Sequence, residues 1–223
     1  DYPSADRKEI DMGIITIPRC SYSRGKEIAE KLAQKLGYEC VSREILLEAS
    51  KQFNIPEVKL LDAIQEAPSF FDRLKDGKKN YTSFICGAFL EHIQKDNVVY
   101  HGFAGQFFTK DIPYILKVRI IANIDYRIKV VMERENISEE QARKLLYKID
   151  LERRQWSMYL YGIDTNTPDL YDVILHIDSM AVDDAVEFLY GLGKRPCFQT
   201  TPESLKTIKE MLLAAKAYSS NPA

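Results

Sequence analysis

Residues 19–27 are the part of the sequence whose types and spacing best suit chemistry on a phosphate group. The apolar run 13–18 ends at this point, and apolar residues then recur every four positions between 28 and 36. This pattern predicts a strand, a tight turn and a helix, with Gly25 and Lys26 where the helix begins. The N–H groups at a helix N-terminus attract anions, and an adjacent lysine neutralises phosphate charge.

The turn is an incomplete match to the phosphate-loop pattern GxxxxGK[ST]. Cys20 stands at the first glycine position, Gly25 and Lys26 match, and Glu27 replaces the hydroxyl residue that ligates Mg²⁺. Glycines allow the backbone of such a loop to adopt unusual dihedrals and to approach the phosphate closely. On the motif alone, two interpretations stay open: a phosphate loop, or a plain β-to-α turn with a solvated lysine.

Composition narrows the functional classes. The net charge of −2 argues against a general nucleic-acid binder, which would be clearly basic. The four cysteines and three histidines are far apart and include no CxxC pair, so we expect reduced thiols, no metal site and a cytoplasmic location. No apolar run approaches the ~18 residues of a membrane-spanning helix, and we therefore expect no membrane partner.

Strand and helix patterns alternate along the chain. The helical patterns include 124–135, one that begins with a capping box at Ser138, and one over 184–192 capped by Asp183. Together they predict a doubly wound α/β domain with a parallel sheet, in which ligands bind at the carboxyl ends of the strands. The predicted strands are 13–18, 38–41, 97–102, 114–122 and 171–177, and the predicted helices between them are 26–36, 42–53, 81–95, 124–135 and 138–162.

The chain changes character after Leu192. A loop-like stretch is followed by an amphipathic helix, so we predict one domain over 1–192 and a linker with a helix over 193–223. The helix either leads to a further region or forms an arm on a partner subunit, and a homodimer is one possibility.

Several other residues have alternative interpretations. Arg127 and Arg134 are seven apart on one helix face, where we favour surface charges over contacts to a ligand. The aromatic residues of 156–161 suit the core or a subunit interface better than a base-stacking site. His101 follows a predicted strand, and we expect it to be peripheral to any chemistry.

Residues 13–189 resemble the cytidylate-kinase-like family, a branch of the P-loop nucleoside monophosphate kinases. The order and spacing of the family's motifs match over most of the chain, and 122–150 is the most specific block. The resemblance implies a three-layer P-loop NTPase fold with a five-stranded parallel sheet, a helical lid and a C-terminal helical tail. The matching segments are IITIPRCSYSRGKEIAEKLA, YECVSREILLEAS, VVYHGFAGQFF, KVRIIANIDYRIKVVMERENISEEQA, DLERRQWSMYLYG and YDVILHIDS.

The resemblance also implies an activity and a set of site residues. The reaction would be phosphoryl transfer from ATP, with Mg²⁺ bridging its phosphates, to a nucleoside monophosphate such as CMP. The catalytic residues would be Lys26, Arg153 and Arg154. The ATP phosphates would lie on Ser21, Tyr22, Ser23, Arg24, Gly25, Lys26 and Glu27, and the acceptor would be bound by Arg43, Gly102, Phe103, Gly105 and Asp150, with Asp150 orienting a lid arginine.

This chain differs from the family at the motif positions that would take part in the reaction. The family's GSGG is replaced by Tyr22–Gly25, its GRG by Gly102–Ala104, and the aspartate of its YDRE by Ser42. Three hypotheses follow. The protein is a kinase, a degenerate relative that binds a nucleotide or phosphate for regulation, or a structural module in which Tyr22 and Phe103 fill the pocket.

Overall fold

A computed structural model describes residues 13–18, 20–42, 44–53 and 77–220. Within these ranges, five parallel strands and eight α-helices alternate, which confirms the predicted α/β fold with a five-stranded parallel sheet. The elements are β1 (Ile14–Thr16), α1 (Gly25–Leu36), β2 (Glu39–Val41), α2 (Glu44–Phe53), α3 (Gly77–Ile93), β3 (Val98–Tyr100), α4 (Gly105–Phe108), β4 (Leu116–Ile121), α5 (Ile124–Glu135), α6 (Glu139–Tyr161), β5 (Val173–His176), α7 (Val182–Gly193) and α8 (Pro202–Ser220), with 3₁₀ turns at Pro168–Leu170 and Pro196–Phe198.

The strand order is β2-β3-β1-β4-β5, with β1 at the centre. In the register, Ile15 of β1 lies between Val99 of β3 and Leu116 of β4. The chain leaves β1 toward β2 on one side and leaves β4 toward β5 on the other side. A crevice opens where connections diverge in this way, so the carboxyl ends of β1 and β4 are the expected ligand site of the sheet.

The sheet is covered on both faces, which is why its central strands are apolar throughout. On one face, the side chains of Ile15, Val118 and Ile120 pack against α1 and α7. On the other face, the side chains of Ile14 and Tyr100 pack against α2, α3 and α8. The three layers place the β1–β4 crevice at one edge of a continuous core.

Two helix ends lie where local sequence signals predict them, and a third predicted cap is not formed. Gly37, with φ of 72°, ends α1, and the predicted capping box of Ser138 and Gln141 begins α6. The prediction that Asp183 caps α7 is wrong, because the N-cap is Ala181. The Asp183 carboxylate instead lies 2.7 Å from the Lys31 ammonium of α1.

Helix α8 packs along α3, and its side chains Ile208 and Leu212 are buried in the same core as the sheet. Lys216 adds an ion pair with Glu91 of α3 at 3.3 Å. The predicted C-terminal helix is therefore present, and its apolar face is used within the chain.

Candidate functional site

The loop between β1 and α1 retains a glycine-like backbone although its glycines are replaced. Tyr22 has φ of 54° and Arg24 has φ of 56°, both in the left-handed region. A residue with a side chain adopts this region at a cost of about 1–2 kcal/mol. Such strain persists only where the surrounding structure enforces it, and it concentrates at functional sites.

The side chains of these two strained residues are held outside the loop. The Tyr22 hydroxyl donates to Glu135 at 3.0 Å, and its ring packs on the α5–α6 pair. Burial and this hydrogen bond raise the pKa of Tyr22. The Arg24 guanidinium makes two hydrogen bonds to Glu27, at 2.7 and 2.8 Å. Hydrogen bonds, first with Tyr126 and then with Glu27, raise the pKa of Arg24.

Two serines lie on the inner side of the loop. The Ser23 hydroxyl lies 3.0 Å from the Ile120 carbonyl and 3.2 Å from the Cys20 carbonyl, which ties the loop to the end of β4. Ser21 is buried, and its hydroxyl has no hydrogen-bond partner among the described residues. Arg24, the N-cap residue of α1, makes no side-chain hydrogen bond to the first turn, whose N–H groups have no partner within the helix and can bind an anion.

Arg127 of α5 joins the loop to α6. Its Nε donates to the Ser21 carbonyl at 2.8 Å, and its two Nη atoms donate to the Asp150 carboxylate at 2.9 and 2.8 Å. The side chain is only 15% exposed. The expectation that Arg127 is a surface charge is therefore wrong, whereas Arg134, 73% exposed, is one.

A cavity of about 250 Å³ opens beside the loop, at the carboxyl ends of β1 and β4. Three arginines, Arg119, Arg127 and Arg153, share its wall with a single carboxylate, Asp150. The excess of positive charge suits an anion. The remaining lining residues are Pro18, Cys20, Ser21, Ser23, Ile121, Ala122, Thr165, Asn166 and Tyr171.

One end of the cavity is formed by Arg119, Asn166 and Tyr171, which the sequence analysis did not identify as site residues. The Arg119 guanidinium hydrogen-bonds to the Asn166 side-chain oxygen and lies 5.6 Å from the centre of the Tyr171 ring. Burial raises the pKa of Tyr171, and its hydroxyl donates to the Thr165 carbonyl at 2.7 Å. The sequence does contain one sign of this role, because Arg119 is a charged residue between the apolar Val118 and Ile120 in a predicted strand.

The predicted catalytic residues lie in different surroundings. Arg153 lines the cavity and also a wider groove that runs past the loop. Lys26 borders only that groove, with its ammonium 3.5 Å from Glu30 and its side chain 73% exposed. Arg154 pairs with Asp164 at 2.7 Å and is 62% exposed. Arg43 and Arg19 lie outside the described residues.

The turn 102–105, predicted to face the acceptor, sits directly on the Tyr100 ring. The Tyr100 hydroxyl donates to the Phe103 carbonyl at 2.9 Å. A Cβ atom on Gly102 would lie 2.3 Å from the Tyr100 ring, and one on Gly105 would lie 2.8 Å from it. The glycines of this turn are thus required by the aromatic ring beneath them.

We expect Gly102→Ala to lower the free energy of unfolding by about 1–3 kcal/mol, because the new methyl group must displace the Tyr100 ring. Chemical denaturation of the variant and the wild type measures this change. Gly191→Ala in α7 is the matched control, since its Cβ would meet nothing within 4 Å. An equal, negligible effect of both substitutions would contradict the packing argument.

A smaller pocket of about 30 Å³ adjoins the turn and shares Pro18, Arg153 and Thr165 with the cavity. Its walls include Gln106 and the rings of Phe103 and Trp156. Trp156 is buried in the core, as predicted for the aromatic residues of α6.

His101 also has a structural role in this region. Its Nδ1 donates to the Ile17 carbonyl at 2.8 Å, and its ring is buried where β1 meets β3. Within the described ranges, His, Cys, Asp and Glu side chains form no group of three that would hold a metal ion. Among the helices that the structure describes, none combines the length and the apolar composition of a membrane-spanning segment.

Proteins of known function that are similar in sequence include two cytidylate kinases. The chain is 24% identical to the cytidylate kinase of Pyrococcus horikoshii over 166 residues, which cover 74% of this chain and 80% of that protein. It is 24% identical to the cytidylate kinase of Sulfolobus acidocaldarius over 169 residues, which cover 75% of this chain and 87% of that protein.

Among solved structures, an uncharacterized protein from Eubacterium ventriosum has the same fold. The TM-score is 0.59 at 21% identity, over 80% of this chain and 96% of that one. The family model described as the cytidylate kinase-like family matches residues 14–179, which include the loop, the cavity and all five strands. The chain therefore belongs to the cytidylate kinase-like family.

Proposed function

We propose that the protein transfers a phosphoryl group from ATP to a nucleoside monophosphate, with CMP as the first acceptor to test. The observation that most supports this proposal is the arginine-lined cavity at the β1–α1 loop. The family and the two cytidylate kinases of similar sequence support the same reaction class.

In phosphoryl transfer the protein takes little part in covalent chemistry. Catalysis depends on positioning the reactants and on neutralising their charge. Cations must therefore converge on the transferred group, and Arg127 and Arg153 line the same cavity as the inner face of the loop. In this proposal, the loop and the N-terminus of α1 bind the ATP phosphates. Arg153 stabilises the charge that develops during transfer.

ATP fits the donors at this site better than a protein-bound metal does. The cavity has arginine N–H groups and the buried Ser21 hydroxyl for phosphate oxygens. Its carboxylate, Asp150, is occupied by Arg127, and Glu27 is occupied by Arg24. Mg²⁺ commonly keeps several water ligands and binds through substrate phosphates. It would therefore be held mainly by ATP, where it neutralises phosphate charge.

A second candidate function is nucleotide binding without turnover, as a regulatory module. The position of Lys26 favours it, because the ammonium is exposed and paired with Glu30 outside the cavity. The absence of a hydroxyl residue at Glu27 favours it as well. In this alternative, the loop and arginines bind a nucleotide and no acceptor is phosphorylated.

Titration calorimetry with ATP and Mg²⁺, followed by an assay of ADP formation with CMP and other monophosphates, separates the two candidates. We expect micromolar ATP binding and ADP formation that depends on the acceptor. ATP binding without acceptor-dependent turnover would favour the regulatory module. No heat from the folded protein would contradict both. The homodimer and the cytoplasmic location predicted from the sequence remain part of the proposal.

Lys26→Ala tests whether the lysine of the loop takes part in transfer. We expect kcat/KM to fall about tenfold, because one exposed cation is lost from the approach to the phosphates. Lys31→Ala is the matched control on the same helix, since Lys31 pairs with Asp183 and lines neither the cavity nor the groove. Equal kcat/KM values for the two variants would remove Lys26 from the proposed site.

A further inference from the structure

We propose that Gln106 makes the enzyme select a cytosine nucleotide as acceptor, because its side-chain carbonyl accepts a hydrogen bond from the 4-amino group of the base. The inference rests on the proposed function, because it requires a nucleoside monophosphate as acceptor. Gln106 belongs to neither the loop nor the arginine cluster, and it lines the smaller pocket.

Gln106 lies in the first turn of α4 and is 3% exposed. Its Nε2 donates to the Thr165 hydroxyl at 3.2 Å. Its Oε1 is buried and has no hydrogen-bond partner among the residues that the structure describes. Buried polar atoms without partners are rare in folded proteins, and each one calls for an explanation. A ligand that donates to Oε1 supplies one.

The amide of Gln106 is held in place by a well-anchored Thr165. The Thr165 N–H donates to the Ser157 hydroxyl at 3.0 Å, and its carbonyl accepts from the Tyr171 hydroxyl at 2.7 Å. The Ser157 hydroxyl in turn donates to the Arg154 carbonyl at 3.0 Å. These bonds hold the Thr165 backbone. The Tyr171 hydroxyl gives its hydrogen to the Thr165 carbonyl, so the Thr165 hydroxyl, 3.4 Å from it, donates to Tyr171 and accepts from the Gln106 amide nitrogen, which leaves the Gln106 carbonyl unpaired.

The pocket that Gln106 lines has the size and walls for the edge of a base. Its volume of about 30 Å³ exceeds the ~10–15 Å³ that one water molecule needs, so it has room for a small polar group. Phe103, Phe107 and Trp156 supply aromatic walls. The shared wall with the cavity, at Arg153, allows a nucleotide to keep its phosphate near the arginines while one exocyclic group reaches Gln106.

A carbonyl at this position discriminates between the two pyrimidines. Cytosine presents an amino group, which donates to Oε1, whereas uracil presents a carbonyl oxygen, which would face a second acceptor. A site built to hydrogen-bond one substrate rejects an analogue that leaves its buried polar group unpaired. The buried Gln106 carbonyl is such a group.

The test compares two proteins, the wild type and a Gln106 variant, on two substrates, CMP and UMP. Initial rates of ADP formation with CMP and UMP give a kcat/KM ratio for the wild type and for Gln106→Met, which keeps the volume and loses the acceptor. We expect the CMP-to-UMP ratio to fall about tenfold in the variant, the effect of one net hydrogen bond. Gln106→Glu, which keeps an acceptor, should retain a preference for CMP.

The outcomes separate this inference from the function on which it rests. ADP formation with any monophosphate, or binding of one by calorimetry, tests the proposed function, whereas only the CMP-to-UMP ratio tests Gln106. Equal ratios for the wild type and Gln106→Met, or a wild-type preference for UMP, would overturn the inference. If Gln106→Met does not fold, the wild type is compared on CMP and on its analogue without a 4-substituent. Equal kcat/KM for these two would also overturn it.

Discussion

Arg153→Ala is expected to lower kcat by about 100- to 1,000-fold and to change the Kd for ATP by less than about threefold. Arg153 is the residue common to the cavity, the smaller pocket and the wide groove, so it lies where donor and acceptor phosphates would meet. A cation at that point stabilises charge that develops only during transfer. Its removal therefore lowers turnover more than ground-state affinity.

Arg154→Ala is the control for this prediction. The two arginines are adjacent, but Arg154 pairs with Asp164 and lines neither the cavity nor either neighbouring pocket. We expect its kcat to stay within about threefold of the wild type, since exposed ion pairs contribute little. Steady-state rates and ATP calorimetry on both variants provide the comparison. Equal losses of kcat and of ATP affinity in Arg153→Ala would indicate ground-state binding alone.

Tyr22 and Arg24, which replace two glycines of the family's loop motif, both have backbone dihedrals in the left-handed region that glycine adopts without strain. Tyr22 and Arg24 hold the left-handed conformation because Glu135 and Glu27 anchor their side chains outside the loop. From the sequence alone, the missing glycines suggest a damaged loop, because the sequence does not show that Glu135, 113 residues away, holds the Tyr22 side chain. The replacements thus leave the inner side of the loop open to a ligand.

The fold was predictable because its signals are local. Strands buried on both faces are apolar runs, and the capping box at Ser138 and the glycine at position 162 bound α6 within a residue of the prediction. The prediction for Asp183 failed for the opposite reason. An acidic residue near a helix start suits a cap, but its actual partner, Lys31, is on another helix.

The candidate site was only partly predictable because its contacts are long-range. The loop and Arg153 follow from motifs and their order. Asp150 was expected to orient a lid arginine, yet it pairs with Arg127, 23 residues earlier on a different helix. No periodicity in the sequence distinguishes Arg127 from the exposed Arg134, which has the same helical phase. Only the packing of α5 against the loop separates the two.

Arg127→Ala is expected to raise the Kd for ATP about 100-fold. The guanidinium both lines the cavity and holds the Ser21 carbonyl, so its loss removes a cation and releases the loop. Truncating one partner of a hydrogen-bonded, largely buried charge pair commonly costs 2–5 kcal/mol of binding in interfaces, and Asp150 would be left unpaired in the cavity. Calorimetry with ATP and Mg²⁺ measures the change.

Two further variants show whether Arg127 acts through the loop. Arg143→Ala removes an exposed guanidinium of α6 that lines neither the cavity nor the groove, and we expect its Kd to stay within about twofold of the wild type. Asp150→Ala leaves the bond from Arg127 to Ser21 in place, so it should preserve most of the ATP affinity. If Asp150→Ala weakens binding as much as Arg127→Ala does, the ion pair itself positions the nucleotide. If neither variant weakens binding, ATP does not occupy this cavity, and the phosphate site must lie in the groove beside Lys26 instead.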